Sequence, residues 1–474
     1  MSKLKILAIL ALAALVSMPA FAETQNVKVS GSLDAYWFYR SGYDLAKDHG
    51  ASLEGYTATS SKTNRTNADD YFMSQTQVEV SADLTDNVST VINLVNERDW
   101  NGQSGNTNQF DIGLDLAYVQ MKEIFYSPLT LKIGRQDIWL GRGFIIGNNN
   151  TAWDSQGTIS ADEYSVQTAF DAVRATLDFN PWTIDMLYSK INENNINNED
   201  DHDLYAVNVG YKFAEYNAVA EGYFVVDHDR TNLETVIDPD TGSPVSPAPY
   251  VIPGKRANET DTIGGRVQFD PISQITLGGE AAYQFGHYES MDTVKKNRDA
   301  WALDIFGTYR WDLTWKPDVT VEYVVFSGEG DLQDTNSSYG SWNKLYRGRF
   351  YTAYEDFRGW VYGTAQEGDT EAGQNTQMIQ VKGNIKPLDD LLLTGSYSYF
   401  WSPESDYTHW WDHSASSPTL NDGIGQEFDF QVTYDYTEDV SFGLLTAWFF
   451  PGDKFTSPND KVATDVVAST KVTF

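Results

Sequence analysis

Apolar and polar residues alternate one for one along most of this chain, the period of a strand with one face in an apolar medium and the other in water. Val27, Val29, Leu33, Ala35, Trp37 and Tyr39 mark the first such run, and Tyr205, Val207, Val209, Tyr211 and Phe213 a later one. Counted to the end, the pattern predicts about eighteen strands. Turn chemistry separates many of them, as at Thr85-Asp86-Asn87, Asn180-Pro181, Pro271 and Trp315-Lys316-Pro317. Tight and long connections alternate, the long ones being 41–70, 139–168, 228–258, 327–375 and 402–425.

That alternation predicts an all-β fold, a transmembrane antiparallel up-and-down β-barrel with tight turns on one rim and long extracellular loops on the other. A soluble β-sandwich has no reason to alternate its loop lengths. In lipid an open sheet edge costs several kcal/mol per unpaired backbone group. The cylinder must therefore close, with the strand at Val27 joined to the strand at Val466. The last run, Val466, Ala468, Thr470, Val472 and Phe474, resembles the signal read by the barrel-assembly machinery of bacterial outer membranes.

Composition supports this. Aromatic residues make up 14% of the chain, with 28 Tyr and 14 Trp, more than a soluble core needs and suited to the two water–lipid boundaries. Mean hydropathy of -0.43 excludes a helix bundle in lipid, but not a barrel, whose strands need apolar residues only at every second position. Lys3 and Lys5, the apolar run from Ile6 to Val16 and the Ala20-Phe21-Ala22 site predict a signal peptide at 1–22, which leaves 23–474 as the barrel. The apolar run is well short of the ~20 residues of a membrane helix. The absence of cysteine suits passage through an oxidising periplasm without disulfides.

The formal charge of -34 argues against nucleic acid as a partner. Many of the acids fall in loops, among them Asp69, Asp70, Asp200, Asp201, Asp238, Asp240, Glu329 and Asp331. Two readings stand: solvated loops that resist aggregation, or a surface that meets divalent cations bridging lipopolysaccharide. The expected partners are outer-membrane lipid and lipopolysaccharide, the assembly machinery and a small hydrophilic or anionic solute; monomer and trimer both fit the pattern.

With the apolar parity outward, the other parity faces a lumen wide enough for water. Its bases include Lys28, Arg40, Lys132, Arg174, Lys212, Arg266, Arg310, Lys382 and Lys471; its acids include Asp34, Glu79, Glu221, Asp304, Glu322, Glu427, Asp429 and Asp435. Exposed Arg and Lys attract anions, whereas the same residues paired with facing carboxylates mainly brace the wall. Both roles stay open for any one residue, and the arginine cluster as a whole reads as a basic track.

Three segments in order, Ile133-Gly134-Arg135-Gln136, Gly141-Arg142-Gly143-Phe144 and Phe170-Asp171-Ala172-Val173-Arg174, resemble the alginate-export family of outer-membrane porins. The resemblance implies a single-chain barrel with a charged lumen that passes an anionic polysaccharide. It also implies pore-facing roles for Arg135 and Arg174, with Asp171 as a partner. Unbroken alternation from Leu131 and Ile133 instead aims Arg135 at lipid, where a charge near mid-membrane costs about 2–4 kcal/mol. A bulge at Gly134 would turn it inward, and snorkelling at the interface is the alternative. Gly141, Gly143 and Gly147 with Asn148, Asn149 and Asn150 allow loop 139–168 either to fold in as a constriction carrying Arg142, or to cap the barrel from outside.

The expected pore-lining residues are Arg135, Arg142, Arg174, Lys212, Arg266, Arg310, Lys382, Asp171, Asp304 and Glu322. No cofactor, metal site or catalytic set is expected. His409 and His413 flank Asp412 in a loop rather than on a helix, and the acidic runs do not follow EF-hand order. The expected function is passive diffusion of hydrophilic, anionic solutes or saccharides through an outer-membrane porin. The alternative is an adhesion or binding barrel with a closed lumen, using the aromatics of 327–375.

Overall fold

The computed structural model describes residues 25–42, 68–100, 112–125, 128–149, 162–193, 201–230, 258–289, 295–329, 338–349, 351–353, 375–404, 422–453 and 460–474. The signal-peptide stretch 1–22, His409, His413 and the acids at 238–240 lie outside them. The first strands are β1 (Gln25–Ser41), β2 (Ala68–Thr85), β3 (Val88–Asp99), β4 (Gly113–Lys122), β5 (Leu129–Gln136) and β6 (Phe170–Asp178). Next come β7 (Trp182–Asn192), β8 (His202–Lys212), β9 (Val219–Asp229), β10 (Asn258–Ile272), β11 (Ile275–Glu289) and β12 (Lys295–Arg310). The wall is completed by β13 (Asp318–Phe326), β14 (Thr376–Leu388), β15 (Leu391–Trp401), β16 (Gly423–Asp435), β17 (Val440–Pro451) and β18 (Ala463–Thr473).

The 18 strands form one antiparallel sheet in which each pairs with its sequence neighbours. β1 also pairs with β18, setting Trp37 opposite Ala468 and Arg40 opposite Asp465, so the sheet closes. Tight turns join β2 to β3 at Asp86 and Asn87, β10 to β11 at Ser273 and Gln274, and β14 to β15 at Asp389 and Asp390. The opposite rim carries the long connections.

The alternating apolar set faces out, with Val207 43%, Ile305 47% and Tyr309 42% exposed. Such a wall is stable only against lipid. Tyr283, Trp301, Tyr323 and Tyr399 belt it toward the long-loop rim. Trp182 against Tyr211 and Tyr309 against Trp311 belt it toward the other, each pair with centroids 4.7 Å apart. Trp301 and Tyr309 are eight residues apart on β12. At ~3.3 Å per residue and a tilt of ~40° this is about 20 Å of height, close to the ~25 Å apolar band of an outer-membrane barrel.

The inward turn expected for Arg135 and Asp171 does not occur. Gly134 adopts a φ of +119°, yet both ladders run in step, Arg135 lying opposite Ala117 on β4 and Asp171 on β6. With no residue inserted, Arg135 keeps the outward parity of Ile133. Its Nη1 lies 3.3 Å from Asp171 Oδ2 on a side chain 65% exposed, and its Nε donates to the Leu114 carbonyl at 3.0 Å. The neighbouring strands continue this outer charged ring: Lys190 meets Asp201 at 2.8 Å and Asp203 at 2.9 Å. The ring sits one step beyond the Tyr188–Tyr205 aromatic pair, whose centroids are 5.1 Å apart. A guanidinium there reaches headgroups and water, so the mid-membrane cost does not apply.

The hydrophobic core lies inside the cylinder. Toward the long-loop rim the inward parity itself turns apolar, with Leu204, Val225, Val324, Phe326, Met378, Phe400 and Phe449 all buried. What covers them is not solvent but two loops.

Candidate functional site in the barrel lumen

Residues 137–149 leave β5 and turn into the barrel. Leu140 N donates to the Ile146 carbonyl at 3.0 Å and Gly143 N to the Leu140 carbonyl at 2.9 Å. This small hairpin needs Gly141 at φ +58° and Gly143 at φ +76°, conformations that side chains with a Cβ resist. Its buried side presents Ile138, Leu140, Phe144 and Ile146. A second segment, 338–349 with 351–353, enters from the β13–β14 connection. Tyr346 N donates to the Ile145 carbonyl at 3.0 Å, Gly147 N to the Tyr346 carbonyl at 2.7 Å and Gly348 N to the Gly143 carbonyl at 3.0 Å. The two loops thereby satisfy each other's backbone away from water.

Their apolar sides seat on the wall. Phe144 stacks on Phe326 at 5.5 Å between ring centroids, and Trp342 lies 6.3 Å from Phe326. Each large side chain buried in this way contributes roughly 1.5–3 kcal/mol as an upper figure.

At the tip the contact is ionic. Arg142 reaches the middle of β12 and β13, with Nη1 2.9 Å from Asp304 Oδ2 and Nη2 2.6 Å from Glu322 Oε1. Its guanidinium lies over Phe306 at 3.9 Å. Arg349 of the second loop takes the same Glu322 at 2.8 and 2.9 Å. Tyr351 donates its hydroxyl to Asp304 at 3.1 Å. Burial first, and then the Asp304 carboxylate, push the Tyr351 phenol well above its ordinary range, which keeps it a donor. Beside the tip, Arg266 pairs with Glu221 at 2.5 Å and Tyr223 donates to Glu280 at 2.8 Å.

The other end of the first loop docks on the far wall. The turn Asp162–Tyr164 and the residues after it lie against β1, β2 and β3. Tyr164 packs between Tyr36 and Phe38, Glu163 pairs with Arg40, and Gln75 donates to the Tyr164 carbonyl. Glu97 accepts from Ser165 Oγ and Val166 N at 2.8 Å and from Gln167 Nε2 at 3.0 Å. In a ring of 18 strands, β3 and β12 are diametrically opposed. The β5–β6 connection is therefore a strap with one foot on each side of the lumen.

Of the residues expected to line a pore, the structure brings Arg142, Asp304 and Glu322 into one network, with Arg266 beside it. Arg174 faces the lumen but is held by Asp185 at 2.9 Å. Its cross-strand neighbour Lys132 lies over the Tyr118 ring at 3.8 Å. Lys212, Arg310 and Lys382 face the half of the lumen nearer the tight turns and are exposed. Among the described residues no carboxylate pairs with Lys212 or Lys382, and Arg310 donates to Thr276 Oγ1 at 2.8 Å. Arg349, Tyr351, Glu163 and Glu97 complete the site and were not singled out for it by sequence; the apolar inward residues at the outer strand ends are the signal that points to in-folded loops. Trp342 and Tyr351, expected as a working surface in the adhesion reading, are buried in the lumen at 0% and 7% exposure. Among the described residues no three His, Asp or Glu side chains are grouped to hold a metal.

A greasy wall closed on itself, a charged lumen and a loop folded into it define an outer-membrane barrel of the porin type. The sequence profile for alginate export matches residues 42–469, and the chain belongs to that family. Among curated proteins no sequence matches it. Similar solved structures include the outer membrane protein OprD from Pseudomonas aeruginosa, at 10% identity, 96% coverage of each chain and a TM-score of 0.53. Another is OccAB1 from Acinetobacter baumannii, at 13% identity, covering 96% of this chain and 99% of that one with a TM-score of 0.55. A third is Pseudomonas aeruginosa OccK2 (OpdF) in complex with glucuronate, at 9% identity, 96% and 99% coverage and a TM-score of 0.53. At such identities the likeness is one of fold.

Proposed function

We propose that this barrel is a passive channel for small hydrophilic solutes that prefers anions, sugar acids among them. The observation that carries the reading is the division of lumen charge by height. At the strap, Asp304 and Glu322 are neutralised by Arg142 and Arg349, and Glu221 by Arg266. Nearer the tight turns, Lys212, Lys382 and Arg310 stand exposed with no ion pair among the described residues. Each offers an anion an exposed positive group at contact distance, with inward carboxylates at the same height: Asp318 lies opposite Arg310 and Asp429 lies near Lys382. That a protein of the same fold, OccK2, is solved with glucuronate agrees with this preference.

The test is the reversal potential across planar bilayers under a KCl gradient. Wild-type channels are expected to favour chloride, and Lys212→Glu with Lys382→Glu to shift the potential toward potassium. Cation selectivity in the wild type, or indifference to the double reversal, overturns the reading. A second reading has its own support: Phe144, Ile146, Trp342 and Phe326 belong to one buried apolar cluster inside the barrel. It describes a barrel held shut, and predicts no wild-type conductance at all.

A further inference from the structure

The hairpin from Ile138 to Ile146 has a second side that the plug does not use. Ile138 and Leu140 are buried at 1% and 8%, whereas Trp139 between them is 51% exposed. Its indole rests on three glycines from both loops. A Cβ added at Gly147 would lie 2.8 Å from Trp139 Cε3, one at Gly348 2.6 Å from Cζ3, and one at Gly143 would collide with the same ring. Glycine at three converging positions is costly to order, and here it leaves an indole lying with one face on backbone and the other in water. The site is in the lumen, because Gly143 adjoins Arg142 at the middle of β12, and Gly348 N is bonded to the Gly143 carbonyl. An exposed apolar plate in a wet, charged passage is the kind of surface that marks a ligand site.

We infer that Trp139 is a stacking seat for the ring of a saccharide passing the strap. A pyranose has one face lined by C–H groups and an edge of hydroxyls; an indole takes the first while water and polar groups take the second. A linear polyol or an inorganic anion has no such face. The inference rests on the channel reading only in that solute must enter the lumen, and it is independent of charge preference.

The test uses the full barrel, labelled with 5-fluorotryptophan and refolded in detergent micelles. Among the resonances of its 14 tryptophans, the one missing from W139F belongs to Trp139, and heat-modifiable gel migration checks that the variant folds. Titration with methyl glucopyranoside should move that resonance saturably, with half-saturation in the millimolar range expected of a single weak contact, while sorbitol moves it little. No movement with the pyranoside, or equal movement with sorbitol, overturns the assignment. Conductance without movement of the resonance sinks this site and leaves the channel reading standing, whereas movement without conductance does the reverse.

Discussion

Removing the guanidinium of Arg142 tests whether the strap is held at its tip by charge. Arg142 bridges Asp304 and Glu322, whose side chains are 0% and 4% exposed. Breaking a buried pair by deleting one partner typically costs ~3–5 kcal/mol, because the remaining charge is stranded. Here the stranding is partial: Glu322 keeps Arg349 at 2.8 Å and Asp304 keeps the Tyr351 hydroxyl at 3.1 Å. Roughly 2 kcal/mol is then lost from the ion pairs, and the ring contact with Phe306 at 3.9 Å adds about 1 kcal/mol. A loss near 3 kcal/mol moves the docked-to-undocked ratio of the tip about 100-fold.

The apolar seat of Phe144, Ile146 and Trp342 is untouched by this change, and the wall ladders do not depend on it. Arg142→Ala should therefore leave the melting of the barrel unchanged while single-channel recordings show larger, noisier conductance steps. Arg142→Lys, which keeps the charge but can serve only one carboxylate well, should fall between. If Arg142→Ala conducts with the amplitude and noise of the wild type, the tip is not held by these pairs. If barrel melting collapses instead, the network braces the wall rather than the loop.

Arg135→Ala should change neither conductance nor selectivity, and cost less than about 1 kcal/mol in urea unfolding, because its pair with the largely exposed Asp171 faces outward. At the other foot, Glu97→Ala removes the acceptor of three strap hydrogen bonds, and should raise channel noise as Arg142→Ala does; a quiet Glu97→Ala channel would argue that the foot is held by the Tyr164 ring and the Glu163–Arg40 pair. Tyr346 and Tyr351 both have phenols raised well above 10.0, by burial first and then by Asp227 and Asp304 respectively. A raised pKa means their contribution to docking is complete below the ordinary phenol range and fades only as pH climbs through the shifted values. Noise should hence stay flat from neutral pH to about pH 10 and grow beyond it, with phenolate absorbance appearing in the same interval; noise that rises already at neutral pH would implicate other groups.

Much of the wall is legible as period two, since lipid demands an apolar residue at every outward position and tolerates few exceptions. The seam between β1 and β18, the turn at Asp86 and the outward set of β8 follow from that demand alone. Arg135 shows how strictly it applies: counting by twos from Ile133 places it outside, and the positive φ of Gly134 does not insert a residue. The lumen obeys no such single rule. Arg142 and Asp304 are 162 positions apart, and nothing local to either names the other.

One signal for the plug was nonetheless present. Along β8, β13, β14 and β15 the inward parity is polar in its lower part and gains large apolar residues above, at Leu204, Val324, Met378 and Phe400. A water-filled bore has no use for such residues, so an apolar inward run at the loop end implies chain folded against it. By the same logic the charges sort by height. A cation at the level of the strap meets a loop or wall carboxylate and becomes structural, as Arg142, Arg349, Arg266 and Arg40 do. Below it Lys212 and Lys382 face open water, where their fields are available to a solute, whereas Arg174 and Lys471 are held by Asp185 and Asp34. Whether an arginine of this lumen braces or selects therefore depends on its distance from the strap and on the carboxylates of the neighbouring strands, as Asp185 beside Arg174 shows, coordinates that a one-dimensional pattern carries only through the polarity of neighbouring positions.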